Sequence, residues 1–271
     1  LDGKKLAKEL LDSLADKVQN LSKAKGRAPC LAVILVGDDR GTSKAAEELG
    51  VKHIPHVNRN DFGTPLLDSA YQLAEEAATH PLLCYINADI ILTSGFTDIV
   101  SSISSQTDWF FMTARRWNLD VSGHLEFQKD WEQGLLQDVH KRGHLGHHTE
   151  IDFWVYSRGL LSGIPPLAVG RMAFECWCLY KARAGDADLI DSTDVVMSVH
   201  QNHDYSHHPE GAEGIGKSLE AERNRELVGG KPYFFTIRDR THILTKAGMR
   251  KTRDGWRLWR MPSRVFSPCW R

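Results

Sequence analysis

The spacing of hydrophobic residues along the chain predicts several helices and strands. Apolar positions at helical spacing, separated by charged residues, predict an amphipathic helix over 6–21 and another over 66–78. Shorter helices are predicted over 42–49 and 174–183. Short apolar runs predict strands over 31–36, 51–54, 82–86, 109–116, 151–156, 189–191, 195–199 and 233–237. Residues 123–146 are a polar, histidine-bearing segment.

The order of these elements indicates the fold class. Strands and helices alternate through the first half of the chain, which is typical of an α/β fold with a mixed, mainly parallel sheet flanked by helices. The near-continuous apolar run at 31–36 favours an interior strand covered on both faces. We expect an N-terminal helix and linker over 1–30, one α/β domain over 31–245 and an irregular C-terminal tail over 246–271.

Composition narrows the choice of function. The chain has 34 Lys and Arg against 35 Asp and Glu, so no strongly basic surface favours nucleic acid as a partner. No apolar run approaches the roughly 20 residues of a membrane-spanning helix. The five cysteines are odd in number and scattered, which is typical of a reduced, cytoplasmic protein.

Candidate chemistry begins where one predicted strand ends. Asn87 and Asp89 follow the apolar run at 82–86, and ligands of open α/β sheets bind outside the carboxyl ends of strands. A carboxylate in this position can hold a divalent cation, which in turn can neutralise a diphosphate. The alternative is that both residues only form a turn, as Asn and Asp often do.

Seven blocks in order resemble a GT-A-fold glycosyltransferase of the inverting, family-2-like kind over about residues 34–245. They are Leu35-Val36-Gly37-Asp38-Asp39, Asn60-Asp61-Phe62-Gly63-Thr64-Pro65, Asn87-Ala88-Asp89-Ile90, Arg115-Arg116-Trp117, Asp152-Phe153-Trp154, Ile164-Pro165-Pro166 with Gly170-Arg171, and His200-Gln201-Asn202-His203-Asp204-Tyr205. The resemblance implies a hexosyltransferase-like enzyme with a Rossmann-like, GT-A fold.

The resemblance also implies a metal site. Asp89 would bind the cation together with His200, and Asn87 stands where many relatives have a first Asp. Imidazole suits Mn²⁺ better than Mg²⁺, so manganese is the expected cofactor. His203 and Asp204 would orient His200 through hydrogen bonds. The alternative for His200 is a histidine that caps a loop.

Further residues are implied as contacts of the sugar nucleotide. Asp38 and Asp39 would hold the base or ribose, with helix capping as the alternative. Arg115 belongs to the same donor-binding set. Arg171 would bind a phosphate group bidentately, and its alternative is a surface salt bridge.

Glu175 is the expected general base. Relatives carry an acidic residue at the start of the corresponding helix, and here Glu175 lies between Phe174 and Trp177. A carboxylate partly shielded from water by aromatic rings has a raised pKa, which suits a base. Its alternative is a first-turn Glu that stabilises the helix dipole.

The first fifty residues carry a second resemblance, to the start of bifunctional methylenetetrahydrofolate dehydrogenase/cyclohydrolase. It rests on Leu1-Asp2-Gly3-Lys4, on 31–39 and on 44–50. That family uses a Tyr-x-x-x-Lys pair, but Arg40 stands four residues before Lys44 here. The family's Gly-Arg-Ser nicotinamide loop is absent as well. This resemblance therefore covers a helix and a strand without the catalytic motifs.

Together these observations predict a metal-dependent, inverting transfer of a sugar from a nucleotide diphosphate to an unknown acceptor. GT-A domains open with a strand, whereas this chain begins in a predicted helix, so we expect that first strand to be missing. One alternative is a non-catalytic domain of the same fold that binds a sugar nucleotide or a partner. The other is an enzyme that uses folate or nicotinamide.

Overall fold

The computed structural model of the chain describes residues 32–34, 42–48, 51–121, 130–203 and 215–252. Its contacts cluster in two units, Leu1–His80 and Pro81–Arg271. Strands and helices alternate in mixed order, which confirms the α/β class predicted from the sequence. None of the helices in these ranges is long and apolar enough to cross a membrane. The predicted helix over 6–21 lies outside the described residues.

The first unit contains a small parallel sheet. Strands β1 (Ala32–Ile34) and β2 (Lys52–Ile54) pair in parallel, with α1 (Thr42–Glu48) between them in sequence and α2 (Leu67–Ala77) after them. Among the described strands β1 pairs with β2 alone. The expectation of an interior strand over 31–36 stays a prediction, because the segments on either side of β1 lie outside the described residues.

The second unit contains two further sheets and four α-helices among its described residues. Its strands are β3 (Leu82–Ile86), β4 (Ile90–Leu92), β5 (Phe110–Thr113), β6 (Trp117–Leu119), β7 (His144–Leu145), β8 (Phe153–Ser157), β9 (Asp188–Asp191), β10 (Ser198–Gln201), β11 (His242–Thr245) and β12 (Gly248–Lys251). Its helices are α3 (Phe96–Ser104), α4 (Trp131–Arg142), α5 (Phe174–Ala184) and α6 (Leu219–Leu227).

The larger sheet has six strands in the order β12-β11-β9-β5-β8-β3. Strand β5 is parallel to β9 and antiparallel to β8, and β8 is antiparallel to β3. Five of the nine pairings between described strands are antiparallel, so the sheets are mixed but not mainly parallel. Hydrophobic patterning does not distinguish the two directions when both faces of a strand are buried.

Strand β8 is buried on both faces. Phe153 and Val155 join a cluster with Ile103 of α3, while Trp154 stacks between Tyr85 and Phe111 on the opposite face. Because successive side chains of a strand point to opposite faces, an uninterrupted apolar run is what a strand covered on both sides requires.

The smaller sheet has the order β4-β10-β6-β7. Helix α4 covers it by packing Leu135 and Val139 against Leu119 and Val199. This helix occupies most of the described part of the segment that the sequence predicted as a polar excursion. Two buried residues separated by four positions are enough to anchor a helix, although the segment as a whole is polar.

Two predictions near the C-terminus are corrected. Residues 233–237 do not form a strand, because two 3₁₀ turns, Lys231–Tyr233 and Ile237–Asp239, occupy this region. Strand β12 pairs with β11 through a tight turn that ends at Gly248, so regular structure continues beyond residue 245. Gly248 has φ of +111°, a conformation that suits glycine, and this allows the chain to reverse there.

Candidate active site

Asp89 lies in the turn that joins β3 to β4. Strand β3 ends at Ile86, and the carbonyl of Asn87 accepts a hydrogen bond from the amide of Ile90 at 3.2 Å, which closes the turn. The carbonyl of Asp89 accepts from the amide of Gln201 at 3.0 Å, so the turn is joined to the end of β10. The prediction that Asn87 and Asp89 follow a strand is confirmed by these bounds.

Two histidines converge on the carboxylate of Asp89. The Nε2 atoms of His200 and His203 each lie 3.2 Å from the same oxygen, Asp89 Oδ2. His200 is buried at 3% exposure within β10, whereas His203 is exposed just beyond that strand. The Nδ1 atom of His200 lies 3.2 Å from Asn202 Oδ1, a contact that orients the ring.

This arrangement fits a divalent cation. One ligand atom from each of Asp89, His200 and His203 lies within 4.8 Å of the other two, so a single ion can be shared. The other carboxylate oxygen of Asp89, the buried Oδ1, has no hydrogen-bond partner among the described residues. Burial opposes ionisation of Asp89, but hydrogen bonds from the two histidines lower its pKa overall and keep it anionic. The carboxylate of Asp89 therefore carries the negative charge that a cation ligand needs.

A row of hydrogen bonds runs from this turn into the larger sheet. Tyr85 donates its hydroxyl to Asn87 Oδ1 at 2.8 Å, and Asn87 Nδ2 donates to Asp152 Oδ1 at 2.9 Å. Both the oxygen and the nitrogen of the Asn87 side-chain amide therefore form hydrogen bonds within the protein. The ring of Tyr85 stacks on Trp154 with centroids 4.3 Å apart, which fixes the direction of its hydroxyl.

Asp152 continues this network to Arg116. Arg116 Nη1 donates to Asp152 Oδ2 at 2.8 Å, and its Nε lies 3.5 Å from Glu150 Oε2. Burial raises the pKa of Asp152, and the positive charge of Arg116 reduces this effect without cancelling it. Asn118 also donates to Glu150 at 2.9 Å. The site therefore contains a fixed, buried ion pair beside Asp89.

Glu175 lies in the first turn of α5, close enough to Asp152 and Arg116 for their charges to act on it. Its partly buried carboxyl has a pKa raised to about 8, mainly by burial and further by the charge of Asp152, while its own backbone N–H and Arg116 act in the opposite direction. Phe174 packs against both Tyr85 and Trp154, with ring centroids 6.0 and 5.9 Å apart. The start of α5 is therefore anchored on the rings that hold the hydrogen-bonded row.

The two arginines that were expected to contact the sugar nucleotide have protein partners. Arg115 donates from Nε to the carbonyl of Gly146 at 2.8 Å and makes a second bond from Nη2 to the same oxygen. Arg171 donates from Nε and Nη2 to Glu220 Oε2 at 3.0 and 2.8 Å. Arg171 is thus in a salt bridge, as its alternative interpretation had it, but the pair is mostly buried and not on the surface.

Three predicted site residues, Asp38, Asp39 and Asp204, lie outside the described residues. Sequence reasoning assigned no role to Asp152 or Arg116, although both belong to the quoted blocks. Asp152 precedes β8, and because β8 is antiparallel to β3 and β5, it lies at the edge of the sheet where those two strands end. His203 was expected to orient His200, but its Nε2 approaches Asp89 as closely as that of His200 does.

Comparisons with known proteins give curated relatives for the second resemblance. No protein-family model matches the chain. The chain is 39% identical to the bifunctional protein FolD of Campylobacter jejuni over 108 residues, which cover 35% of this chain and 38% of that protein. It is 37% identical to the FolD of Bacillus licheniformis over 91 residues, or 31% of this chain and 32% of that one. The chain thus spans less than two fifths of the length of these curated relatives.

A solved structure is also similar to the chain. It is mannosyl-3-phosphoglycerate synthase from Rubrobacter xylanophilus, with a TM-score of 0.45 and 16% identity. The match covers 89% of this chain and 80% of that one.

Proposed function

We propose that the second unit is a metal-dependent, inverting glycosyltransferase that takes a sugar from a nucleotide diphosphate. The observation that carries this proposal is the convergence of His200 and His203 on Asp89, beside the carboxyls of Asp152 and Glu175. A cation site next to a carboxyl of raised pKa combines the two functions that glycosyl transfer needs, which are charge neutralisation and proton removal.

Asp89, His200 and His203 would hold the cation. When bound, the ion would neutralise the diphosphate as it leaves the sugar. Two imidazoles and one carboxylate favour manganese over magnesium, since Mg²⁺ prefers oxygen ligands. Hydrogen bonds from the histidines keep Asp89 ionised in the absence of the ion, so Asp89 has no proton to lose on binding. Each histidine would instead release the Nε2 proton that it donates to Asp89, so binding should weaken as pH falls.

Glu175 would act as the general base. Its carboxylate takes the proton of the acceptor hydroxyl as that oxygen bonds to the anomeric carbon, and the carbon–phosphate oxygen bond breaks on the opposite face. One displacement of this kind inverts the anomeric centre. A base with a pKa of about 8 has a high affinity for the proton and still ionises near neutral pH.

Asp152 and Arg116 would keep the walls of the site in place. Asp152 joins Asn87 to Arg116, and the stacked ring of Tyr85 closes the buried side. Asn87 then acts by fixing Asp152, since its amide is engaged at both ends. A rigid, partly dry wall strengthens the electrostatic interactions inside the site. We also propose a cytoplasmic location, in line with the free thiol of Cys84.

A folate- or nicotinamide-linked activity is the second candidate, favoured by the match to FolD. Lys44, the residue expected to carry that chemistry, is exposed on α1 and has Arg40 in place of the family's tyrosine. A non-catalytic domain of the same fold is the third candidate, favoured by the internal engagement of Asn87.

The test is a thermal-shift screen of nucleoside diphosphates with and without Mn²⁺, followed by transfer assays with the sugar nucleotides that bind. Ligands that bind the native state raise its melting temperature. We expect a shift that requires both the nucleotide and the metal, and then turnover. Binding without turnover would favour the non-catalytic domain, and a shift with folate or NADP alone would favour the second candidate.

A further inference from the structure

We propose that Arg115, His147, His148 and Arg238 form a phosphate-binding subsite beside the candidate active site. The four side chains come from three separate segments of the second unit: the end of β5, the turn over 146–150 and the 3₁₀ turn Ile237–Asp239. The proposal goes beyond the proposed function, because it requires neither the cation nor transfer of a sugar.

The turn over 146–150 is held rigidly against Arg115 and Arg116. The amide of Gly146 donates to the carbonyl of Arg116 at 2.8 Å, and the amide of Arg116 donates to the carbonyl of Glu150 at 3.1 Å. Arg115 adds its side-chain bond to the carbonyl of Gly146. These contacts position the two histidines of the turn through its backbone.

The histidines pack on each other with their ring centroids 3.6 Å apart. The Nδ1 atom of His147 lies 3.0 Å from Thr149 Oγ1, and this contact orients the ring. The amide of Ile237 donates to the carbonyl of His148 at 3.3 Å, and the capping box of Thr236 and Asp239 fixes the turn that carries Arg238. The fold therefore brings Arg238 to the histidine pair by backbone contacts.

The charges of the cluster are of one sign. The pKa of His148 is lowered by burial and then by Arg238, His147 and Arg115, which shows that these groups are close enough to repel a proton. Neither Arg115 nor Arg238 forms an ion pair with a carboxylate of the described residues. Glu150, the acidic group of the same turn, is instead engaged by Asn118 and Arg116.

A dianionic phosphate matches this set of groups. The guanidinium groups of Arg115 and Arg238 supply two positive charges, and the imidazoles add N–H donors. Arg238 offers a planar fork that suits phosphate oxygens, whereas Arg115, whose Nε and Nη2 bond to the carbonyl of Gly146, contributes its charge and its remaining N–H groups. The positive charges of Arg115 and Arg238 both act on His148 and oppose its protonation, so a bound phosphate would stabilise the cluster. A carboxylate offers one charge and fewer acceptor positions, which makes it the weaker ligand.

The experiment is calorimetric titration of the full chain with inorganic phosphate and glycerol phosphate in the absence of metal, with acetate for comparison. We expect saturable binding of both phosphates and weak binding of acetate. Arg238→Gln should weaken phosphate binding by about tenfold or more, the usual value of one charged hydrogen bond. Arg250→Gln is the matched control, because Arg250 is an exposed arginine on β12.

Two further measurements distinguish the phosphate subsite from the cation site. Asp89→Asn should leave phosphate binding unchanged, and Arg238→Gln should leave Mn²⁺ binding unchanged. If a nucleoside diphosphate with Mn²⁺ displaces the inorganic phosphate, the subsite binds a phosphate group of the sugar donor. If the nucleoside diphosphate and the inorganic phosphate bind together, the subsite binds a phosphate group of a second substrate. Equal phosphate affinity of Arg238→Gln and Arg250→Gln, or no saturation of the wild type by about 10 mM, would overturn the subsite.

Discussion

The Nε2 atom of His200 lies 3.2 Å from Oδ2 of Asp89, although the two residues belong to different elements. The register of the smaller sheet explains this distance, since His200 pairs with Ile90, the residue directly after Asp89. A slip of one residue in that pairing would turn the imidazole to the other face of the sheet. The contact therefore depends on the register as much as on the two side chains.

Substitution Glu175→Gln should abolish most turnover and leave nucleotide binding intact. The amide keeps the size of the side chain but cannot accept the proton of the acceptor, so we expect a loss of roughly 10²–10⁴-fold in kcat. The matched control is Glu222→Gln, because Glu222 is an exposed glutamate in the first turn of α6. Turnover and binding are measured separately, by a transfer assay and by calorimetry.

The pH profile of the wild type provides a check of the same assignment. The pKa of Glu175 is about 8, so kcat/KM should rise with pH through this value. Wild-type turnover in Glu175→Gln, or a profile that is flat through this range, would remove Glu175 from the role of base.

The raised pKa of Glu175 also predicts how stability depends on pH. Between its ordinary pKa of 4.5 and about 8, the folded state retains a proton that the unfolded state has released. The contribution of Glu175 to the free energy of unfolding is therefore fully present below the lower value and declines as pH rises through this window. Glu175→Gln has no proton to lose and should lack this decline.

Urea unfolding of the wild type and Glu175→Gln from about pH 5 to about pH 9 measures this effect. The variant should gain stability relative to the wild type as pH increases. A constant difference between the two proteins would show that the folded state does not raise the pKa of Glu175.

Removal of the Arg116 charge should destabilise the second unit strongly. Arg116→Gln leaves the buried carboxylate of Asp152 without its cation, and such a change costs roughly 3–5 kcal/mol. Arg142→Gln is the comparison, because Arg142 and Asp138 form an exposed pair whose side chains are 44% and 48% accessible. That change should cost less than about 1 kcal/mol. Equal effects in urea unfolding would contradict a buried ion pair at Asp152.

Asn224 should be required for a well-formed start of α5. It is 1% exposed, its Oδ1 accepts from the amide of Ala168 at 2.8 Å, and its Nδ2 donates to the carbonyls of Ala168 and Met172 at 3.0 and 3.3 Å. Asn224→Ala leaves these buried backbone groups unpaired, which costs about 1–3 kcal/mol. Urea unfolding measures the loss, with Arg223→Ala on the exposed face of α6 as control.

The sequence predicted the elements near the site better than the contacts between them. Strand β3 and the turn that carries Asp89 could be predicted, because an apolar run that ends in Asn and Asp marks a strand end. The bond from Arg116 to Asp152 could not, because it depends on the pairing of β5 with β8, which hydrophobic patterning leaves open. For the same reason His203 was not expected to reach Asp89 directly.

The central claim is tested most directly by titrating the wild type and Asp89→Asn with Mn²⁺. The electron paramagnetic resonance signal of the free ion measures how much of it is bound. The wild type should bind one ion per chain at Asp89, His200 and His203, with tighter binding when a nucleoside diphosphate is present. Asp89→Asn and His200→Ala should each lose this binding and retain their fold. Unchanged Mn²⁺ binding in both variants would contradict the cation site and the metal-dependent transfer built on it.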